Sequence, residues 1–476
     1  MAWNDFYIIG TGVGSNLNAG STSSGTAIYT SASGNWASNV FTPTDGSTPA
    51  SSVNVGDWCS IYPTGNTTTP YIAQVTTVAA GQNGAITLSS TLLFGTAPGT
   101  LTGTANLIDG GAWADLGMLA SGVALNTGTV TQSTRVNIKA ATYANTSTTR
   151  TFHMAGAATT PLWWRGYQTT PGDQDSNNTA TAGTNIPSIT FTTGQFAVTG
   201  IYQSFSSLDV SGASTSAAGL VDITVGGGLF YRFRATNTVA NTNGIALNSG
   251  ASTNTFVSCA FKSTSSSSNI VGCQDDCFLG CTFTCSNTGG GGTGTGLLVS
   301  AGHATIHNCV FDSCVGDGIK LNTTEGAVRN CSFYNCGGNG ITCASTPGTS
   351  GEVLIANNYF STITTAAKAG INNTSGTNTF MIRCVANAFF NCTANYSGLQ
   401  ETFVIFDNGT LASEAFRNPS GHDFMILSPG YSLGFPGGFE NTALYQGTLD
   451  VGAVQHQSGG LGQIMRVWGQ NLVVGN

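Results

Sequence analysis

Charged side chains are scarce in this sequence. Only 7% of its 476 residues are Asp, Glu, Lys or Arg, and 13 Lys and Arg stand against 21 Asp and Glu, which gives a formal net charge of −8. A protein that binds nucleic acid needs a cationic surface to neutralise phosphate groups, and this composition provides none. We therefore expect no nucleic-acid partner.

Long apolar runs and a secretory signal are also missing. No stretch of about twenty apolar residues is present to span a bilayer. The first ten residues, MAWNDFYIIG, carry Asp5 where a signal peptide would carry basic residues, and their apolar run is too short for a signal segment. We therefore expect no signal peptide, no transmembrane segment and no membrane insertion, with assembly in the cytoplasm of the cell that makes the protein.

The residues that are abundant indicate a β protein. Forty per cent of the chain is hydrophobic, with 65 Gly and 25 Phe, which is too apolar for a disordered polar tract. Glu, Lys, Arg and Leu, which populate helix surfaces, are sparse, whereas Thr, Val, Ile and Phe recur. A length of 476 residues exceeds one ordinary globular core, so the chain forms either several domains or one elongated repeat array.

Thirteen cysteines are present, and twelve of them lie between Cys259 and Cys392, with Cys59 alone upstream. Disulfide scaffolds are typical of small secreted chains, and this chain is neither small nor visibly secreted. We therefore predict free, buried thiols that act as small apolar side chains.

An internal repeat runs through residues 259 to 360. The pattern Cys-x-Phe recurs with Phe-to-Phe steps of 22, 28, 22 and 27 residues, and the last copy has Asn in place of Cys. Alternate residues of a strand share a face, so both members of each copy point the same way. If each repeat is one coil, like side chains stack about 4.8 Å apart. The predicted core ladder consists of Cys259, Phe261, Cys281, Phe283, Cys309, Phe311, Cys331, Phe333, Asn358 and Phe360.

These observations predict an all-β fold, a right-handed parallel β-helix (solenoid) with a small N-terminal β region and a C-terminal cap. We place the small β region at residues 1–109, the β-helix with its N-terminal cap at 110–440, and the C-terminal cap or tail at 441–476. The cap at the N-terminal end of the β-helix is predicted as a short amphipathic helix over residues 110–126. Its core-facing residues would be Trp113, Leu116 and Leu119.

Three short motifs follow one another in the repeat region. They are Gln274-Asp275-Asp276-Cys277, Gly302-His303-Ala304 and Gly318-Ile319-Lys320. This order resembles the active-site signature of polygalacturonase-type glycoside hydrolases, which share the β-helix fold. The resemblance implies that Asp275 and Asp276 act as acid and base, with His303 and Lys320 beside them, because paired carboxylates protonate the leaving oxygen and activate water.

The sequence departs from that signature at three positions. Phe256 stands where the family has an upstream Asp, Ala304 replaces a Gly, and Gly318 replaces an Arg. The competing interpretation places the Asp pair in a turn and Lys320 on the outer face of a strand. We favour it and expect no catalytic residues.

Four cysteines at four-residue intervals, from Cys273 to Cys285, raise the possibility of a metal site. Zinc sites usually pair their ligands as C-x2-C across a tight turn, and these cysteines lie in strand-like sequence. We interpret them as stacked thiols, and we predict no metal site and no cofactor.

An aromatic segment offers a candidate glycan-binding surface. Trp163, Trp164 and Tyr167 lie in one strand-like run, and aromatic faces bind pyranose rings. Strand alternation allows only one of the two tryptophans to face outward.

The chain as a whole resembles virion proteins of tailed bacteriophages, namely tailspikes, fibres and head-decoration proteins. The resemblance implies a structural or receptor-binding virion protein that is a homotrimer. It would contact other virion proteins through residues 1–109 and would display loops to a host-surface polysaccharide. We expect no enzymatic activity. Two alternatives stay open: a polysaccharide-cleaving β-helix enzyme, either glycosidase or depolymerase, and a bacterial surface adhesin.

Overall fold

The computed structural model describes residues 3–10, 15, 18–65, 71–94, 98–116, 130, 132–145, 149–174, 182–239, 245–250, 253–265, 269–285, 294–323, 325–344, 351–374, 381–399 and 404–427. The chain divides into two compact units, unit 1 (Met1–Val210) and unit 2 (Ser211–Asn476). Strands make up nearly all of the regular structure in the described residues, and two 3-10 turns lie at Pro49–Ser51 and Pro419–Gly421. The predicted C-terminal cap at 441–476 lies outside the described residues, and the predicted boundaries at 109 and 440 stay predictions.

The strands of unit 1 are β1 (Asn4–Ile8), β2 (Ala27–Ala37), β3 (Val40–Pro43), β4 (Trp58–Pro63), β5 (Tyr71–Val78), β6 (Ile86–Phe94), β7 (Leu101–Gly110), β8 (Thr134–Lys139), β9 (Thr142–Asn145), β10 (Arg150–Phe152), β11 (Leu162–Tyr167), β12 (Ser188–Phe191), β13 (Phe196–Val198), β14 (Gln203–Ser206) and β15 (Asp209–Gly212), in which unit 2 begins.

Strands β2 to β7 close into an antiparallel barrel in the order β2-β3-β6-β5-β4-β7. Its strands alternate, so that Cys59 and Ile61 on β4, and Ala105 and Leu107 on β7, point into the barrel and are fully buried. Trp36 and Tyr71 contact each other in this core, with ring centroids 5.6 Å apart.

Strand β1 lies in the parallel sheet of unit 1 and not in the barrel. It pairs in parallel with β8, which pairs in turn with β11. Phe6 and Ile8 are buried on the inner face, and Trp113 stacks on Phe6 with ring centroids 5.4 Å apart. Backbone hydrogen bonds from Tyr7 to Gly20 and between Trp113 and its neighbours on β1 cover the edge of this strand.

Part of the predicted N-terminal cap lies within the described residues. Trp113 and Leu116 are buried, at 0% and 1% exposure. Leu119 and residues 117–129 lie outside the described residues, so the predicted helix over 110–126 stays a prediction.

The strands of unit 2 are β16 (Val221–Ile223), β17 (Leu229–Tyr231), β18 (Arg234–Asn237), β19 (Leu247–Ser249), β20 (Thr255–Val257), β21 (Ala260–Ser263), β22 (Val271–Cys273), β23 (Cys277–Leu279), β24 (Thr282–Cys285), β25 (Leu297–Val299), β26 (His303–His307), β27 (Val310–Asp312), β28 (Ile319–Leu321), β29 (Glu325–Arg329), β30 (Ser332–Tyr334), β31 (Ile341–Cys343), β32 (Glu352–Ala356), β33 (Tyr359–Ser361), β34 (Ile371–Asn373), β35 (Met381–Phe390), β36 (Tyr396–Ser397), β37 (Val404–Thr410), β38 (Phe416–Asn418) and β39 (Asp423–Ile426).

The coils of unit 2 place their strands in three parallel stacks, and each strand pairs with its equivalent one coil further on. One stack runs from β17 through β20 and β23 to β35, the second from β18 through β21 and β24 to β35, and the third from β16 through β19 and β22 to β36. The predicted all-β parallel β-helix is confirmed.

The phenylalanines of the predicted ladder lie above one another on the second stack. Phe311 packs between Phe283 and Phe333, with ring centroids 4.6 Å and 4.9 Å apart and rings within 6° of parallel. Phe360 continues the column at 4.7 Å from Phe333. Identical flat rings thus stack face to face at the spacing of the paired strands.

The cysteines of the ladder lie at the bend between the first and second stacks. The thiols of Cys281, Cys309 and Cys331 each donate to a backbone carbonyl of the preceding coil, over 3.4 to 3.6 Å. Asn358 takes the same place one coil further on and donates its amide to Val328 O over 3.1 Å. All thirteen cysteines are free thiols.

A C-terminal hairpin of β38 and β39 packs on the outer face of the second stack in unit 2. Phe416 contacts Tyr359 edge-to-face, with ring centroids 4.6 Å apart. The hairpin is also held by His422, whose Nδ1 lies 2.5 Å from Asp312 Oδ2. The hairpin thereby covers apolar side chains that the coil would otherwise expose.

Candidate functional site

Only one of the three predicted glycan-binding aromatics keeps an exposed surface. The side chains of Trp163 and Trp164 point to opposite faces of β11, and Trp164 is fully buried and donates its indole N–H to Gln203 Oε1 over 2.7 Å. Tyr167 is 2% exposed, and burial raises its pKa to about 12. A ring without an exposed face cannot stack on a sugar, so the predicted glycan-binding surface narrows to Trp163.

Trp163 belongs to a cluster that the sequence reasoning did not find. Its ring lies 6.0 Å from that of Trp3, edge-to-face. The guanidinium carbon of Arg135 lies 5.2 Å from the centroid of the Trp3 ring, and that of Arg165 lies 4.9 Å from the centroid of the Trp163 ring. These four residues, the Trp3–Trp163 cluster, lie on the outer face of the parallel sheet in unit 1.

Strand register assembles this cluster. Asp5 on β1, Arg135 on β8 and Trp163 on β11 are successive backbone partners, so their side chains form one column. Asp5 holds the Arg135 guanidinium through two hydrogen bonds of 2.9 Å and 2.7 Å. The indole N–H of Trp163 donates to Ser206 Oγ over 2.9 Å. The cluster is therefore held in place by its neighbours and is not a set of free side chains.

In unit 2, the two aspartates of the hydrolase-like motif lie in different environments. Asp276 is 2% exposed, and its Oδ1 accepts a hydrogen bond of 2.9 Å from the backbone N–H of Asn254. Burial raises the pKa of Asp276 to about 7. Asp275 is partly exposed, and its Oδ1 accepts from the backbone N–H of His303 over 2.9 Å. Only Asp275 of the pair can reach a ligand in solution.

His303 lies between two carboxylates on the surface of unit 2. Its Nδ1 is 3.8 Å from Asp275 Oδ1, and its Nε2 contacts Glu325 Oε2. The imidazole is 64% exposed and the Glu325 side chain 43% exposed. The structure thus brings Asp275 and His303 together with a carboxylate that the motif analysis missed.

Glu325 could have been found from the coil period. It follows His303 by 22 residues, the same step that separates Phe311 from Phe333, and His303 and Glu325 are backbone partners on β26 and β29. Lys320, the fourth residue of the hydrolase-like motifs, lies on β28 of the third stack, in register with Leu298 and Thr342.

Within the part of the chain that the structure describes, no group of three or more His, Cys, Asp or Glu side chains could hold a metal ion. The four regularly spaced cysteines belong to different strands: Cys273 to β22, Cys277 to β23 and Cys285 to β24, with Cys281 at the bend. No helix among the described residues is long and apolar enough to cross a membrane.

The architecture defines a right-handed parallel β-helix protein. Residues 230–411 match the family model described as "Right handed beta helix region". No curated protein matches the chain.

Solved structures with a similar fold include enzymes and phage proteins. The pectate lyase Pel9A is 14% identical, with 73% of this chain and 92% of that chain covered and a TM-score of 0.47. The tailspike gp49 of Pseudomonas phage LKA1 is 12% identical, with 85% and 71% covered and a TM-score of 0.21. The tailspike gp61 of Pseudomonas phage phi297 is 11% identical, with 87% and 69% covered and a TM-score of 0.27.

Proposed function

We propose that the protein is a structural or receptor-binding component of a bacteriophage virion, of the tailspike, fibre or head-decoration type, and that it binds a polysaccharide on the host surface. Assembly as a homotrimer in the host cytoplasm and attachment to other virion proteins through residues 1–109 are parts of the same proposal. The Trp3–Trp163 cluster carries the proposal of glycan binding.

The cluster has the chemistry that a sugar requires. Its two indole rings offer flat apolar surfaces, and the guanidinium groups of Arg135 and Arg165 lie against these rings and place positive charge beside a ligand that stacks there. Both tryptophans contact side chains of a packed sheet, so little conformational entropy is lost when a ligand is bound.

Binding to polysaccharide tests this proposal. The purified chain is titrated with a panel of bacterial surface polysaccharides, and binding is followed by calorimetry. Trp163→Ala is expected to weaken binding about tenfold or more, because it removes a stacking surface. Tyr202→Asn is the matched control, since Tyr202 is an aromatic residue of unit 1 that is 45% exposed outside the cluster, at a φ of 53° that Asn tolerates. An unchanged affinity in Trp163→Ala, or an equal loss in both variants, would contradict glycan binding at the cluster.

The virion role is tested separately. Gold-labelled antibodies against the chain should decorate the particles made by the genome that encodes it, and the bound polysaccharide should stay intact. Particles that lack the protein would contradict the proposal.

Cleavage of polysaccharide is the second candidate, and the contact of His303 with Asp275 and Glu325 favours it. Successive coils lie about 4.8 Å apart, so carboxylates two coils apart approach the separation found in inverting glycosidases. Release of reducing ends that is lost in Glu325→Gln would establish this candidate and overturn the non-enzymatic one. Asp276→Asn is the matched control, because that carboxyl is buried.

A further inference from the structure

The antiparallel barrel of unit 1 contains a buried carboxyl group without a cationic partner. Asp109 on β7 is 0% exposed, and neither of its carboxylate oxygens has a hydrogen-bond partner among the described residues. The first cationic side chain of the sequence is Arg135, so the whole barrel from Ala27 to Gly110 has no Lys, Arg or His. The barrel itself therefore has no side chain that could neutralise an ionised Asp109.

The groups around Asp109 make ionisation still less favourable. Its backbone partners are Tyr29 on β2 and Cys59 on β4, and Asp57 lies just before β4. Burial and the negative charge of Asp57 raise the pKa of Asp109 to about 7. Burial raises the pKa of Tyr29 and of Cys59, so both stay neutral near neutral pH. The charge of Asp45 acts on Tyr29, whose pKa it raises.

Burial of an unpaired carboxylate in a protein interior is so costly that the group binds a proton instead. We propose that Asp109 retains a proton inside the barrel and thereby makes the stability of the barrel sensitive to pH. The barrel is most stable when this proton is bound, and it opens more often as the proton is lost.

The direction of the pH effect follows from linkage. The unfolded carboxyl has a pKa of about 3.9, below the value of about 7 in the barrel, so the folded barrel holds one proton more than the unfolded one between these values. Stability is therefore greatest at acid pH, falls as the pH rises towards about 7, and is constant above it. Substitution of Asp109 by a neutral residue should remove this pH dependence.

Cys59 provides a local probe of barrel opening. It is buried opposite Asp109, and the next cysteine in the sequence is Cys259, so its peptide is unambiguous in mass spectrometry. The full chain and Asp109→Asn are labelled with N-ethylmaleimide from about pH 5 to about pH 8. Cys59 is buried and beside Asp109 in the closed barrel, so it reacts only after the barrel opens and the two residues separate. In that open state its thiolate fraction is the same in both proteins, and the ratio of their rates at Cys59 reports the opening of the barrel. We expect the ratio of wild type to variant to rise by up to about tenfold per pH unit below about pH 7 and to level off above it.

Two further variants separate this proposal from a general acid effect. The ratio of the labelling rate of Asp57→Asn to that of Asp109→Asn should level off at a lower pH than the ratio for the wild type, because the Asp57 charge that helps to raise the pKa of Asp109 is gone. Asp45→Asn should leave the profile of the wild type unchanged. Hydrogen bonds from Ser47 and Ser31 hold the pKa of Asp45 below its ordinary value, so it does not titrate between about pH 5 and about pH 8, and its charge is not among the causes of the raised pKa of Asp109. A ratio that does not change with pH would overturn the proposal.

A direct readout remains if Asp109→Asn does not fold. Asp276 also has a pKa raised to about 7, so the infrared spectrum is recorded on Asp276→Asn. This spectrum should contain a protonated carboxyl band at about pH 5 that is lost by about pH 8, and addition of Asp57→Asn should shift its midpoint. The measurements are repeated with millimolar calcium chloride or with potassium in place of sodium. A pH dependence that either cation abolishes would show that the two carboxylates bind a cation and not a proton, and would also overturn the proposal.

Discussion

At the scale of single residues, the bends of the coil depend on side chains that tolerate the left-handed backbone region. Asn308, Asn330 and Asn357 have φ values of 54°, 52° and 56°, and each directly precedes a ladder residue. Asn adopts this region at lower cost than other residues with a Cβ atom. The short pattern Asn-Cys-x-Phe therefore encodes a bend and the two core side chains that follow it.

Substitution at such a bend tests this role. Asn308→Val should lower the free energy of unfolding by about 1–2 kcal/mol, because a β-branched side chain is strained at positive φ. Asn308→Gly is the matched control and should change stability by a few tenths of a kcal/mol at most. Denaturant unfolding of both variants measures the difference. Equal stability of the two would show that the bend does not select its residue.

The buried Asp276 predicts a pH dependence in unit 2. Its pKa is raised to about 7 by burial, so its contribution to stability is present below the unfolded pKa of about 3.9 and is lost as the pH rises to about 7. Asp276→Asn keeps an oxygen that can accept from the N–H of Asn254 and has no charge to bury. Its urea midpoint should fall less than that of the wild type between about pH 5 and about pH 7. The same fall in both proteins would assign the effect to another group.

At the scale of elements, the column of stacked phenylalanine rings packs neighbouring coils of unit 2 against each other. The ring of Phe311 has a parallel neighbour on each side, at 4.6 Å and 4.9 Å, and is fully buried. Its strand pairs with both neighbouring strands, so each coil gains packing and backbone hydrogen bonds together. Removal of one ring therefore weakens contacts to two coils.

Phe311→Ala should lower the free energy of unfolding by about 3–5 kcal/mol, because the coils cannot close around the cavity while their backbones stay paired. Phe311→Leu should cost less, since it refills most of the space. Guanidinium unfolding, followed by far-UV circular dichroism, measures both. A loss of less than about 1 kcal/mol in the Ala variant would show that the rings do not carry the packing of these coils.

At the scale of the whole molecule, the thirteen cysteines have one physical interpretation. Eleven of the thirteen free thiols are buried, and Cys277 and Cys392 are partly exposed. Burial raises the pKa of thiols such as Cys259 and Cys309, which keeps them protonated and unreactive. The thiols therefore serve as small apolar core residues that also donate to backbone carbonyls.

Thiol titration tests this at the level of the entire chain. In denaturant and without reductant, all thirteen cysteines should react with a thiol reagent. In the native state Cys277 and Cys392 should react first, because they are partly exposed, but more slowly than in denaturant, because burial raises the pKa of each to about 11. Peptide mapping identifies the labelled positions. Fewer than thirteen thiols in denaturant, with the rest recovered by a reductant, would contradict the prediction of free thiols.

Sequence reasoning predicted the periodic part of the molecule and missed much of the rest. The ladder residues from Cys259 to Phe360 lie where the repeat places them. Glu325 was within reach of the same reasoning, because it is one coil step from His303. Trp3 was not, because β1 pairs with β8 across some 130 residues of unrelated sequence, as the contact of Asp5 with Arg135 shows.

The sequence by itself determined the coil, its period and the side chains that fill it, because neighbouring coils repeat one local pattern and a constant step along the chain becomes a constant step in space. The tertiary structure alone decided which residues meet without a repeating interval. The pairing of Trp3 with Trp163 and the isolation of Asp109 in a barrel without cations are of this kind. Closure of a barrel and register between distant strands depend on packing of the whole unit, and no local pattern records them.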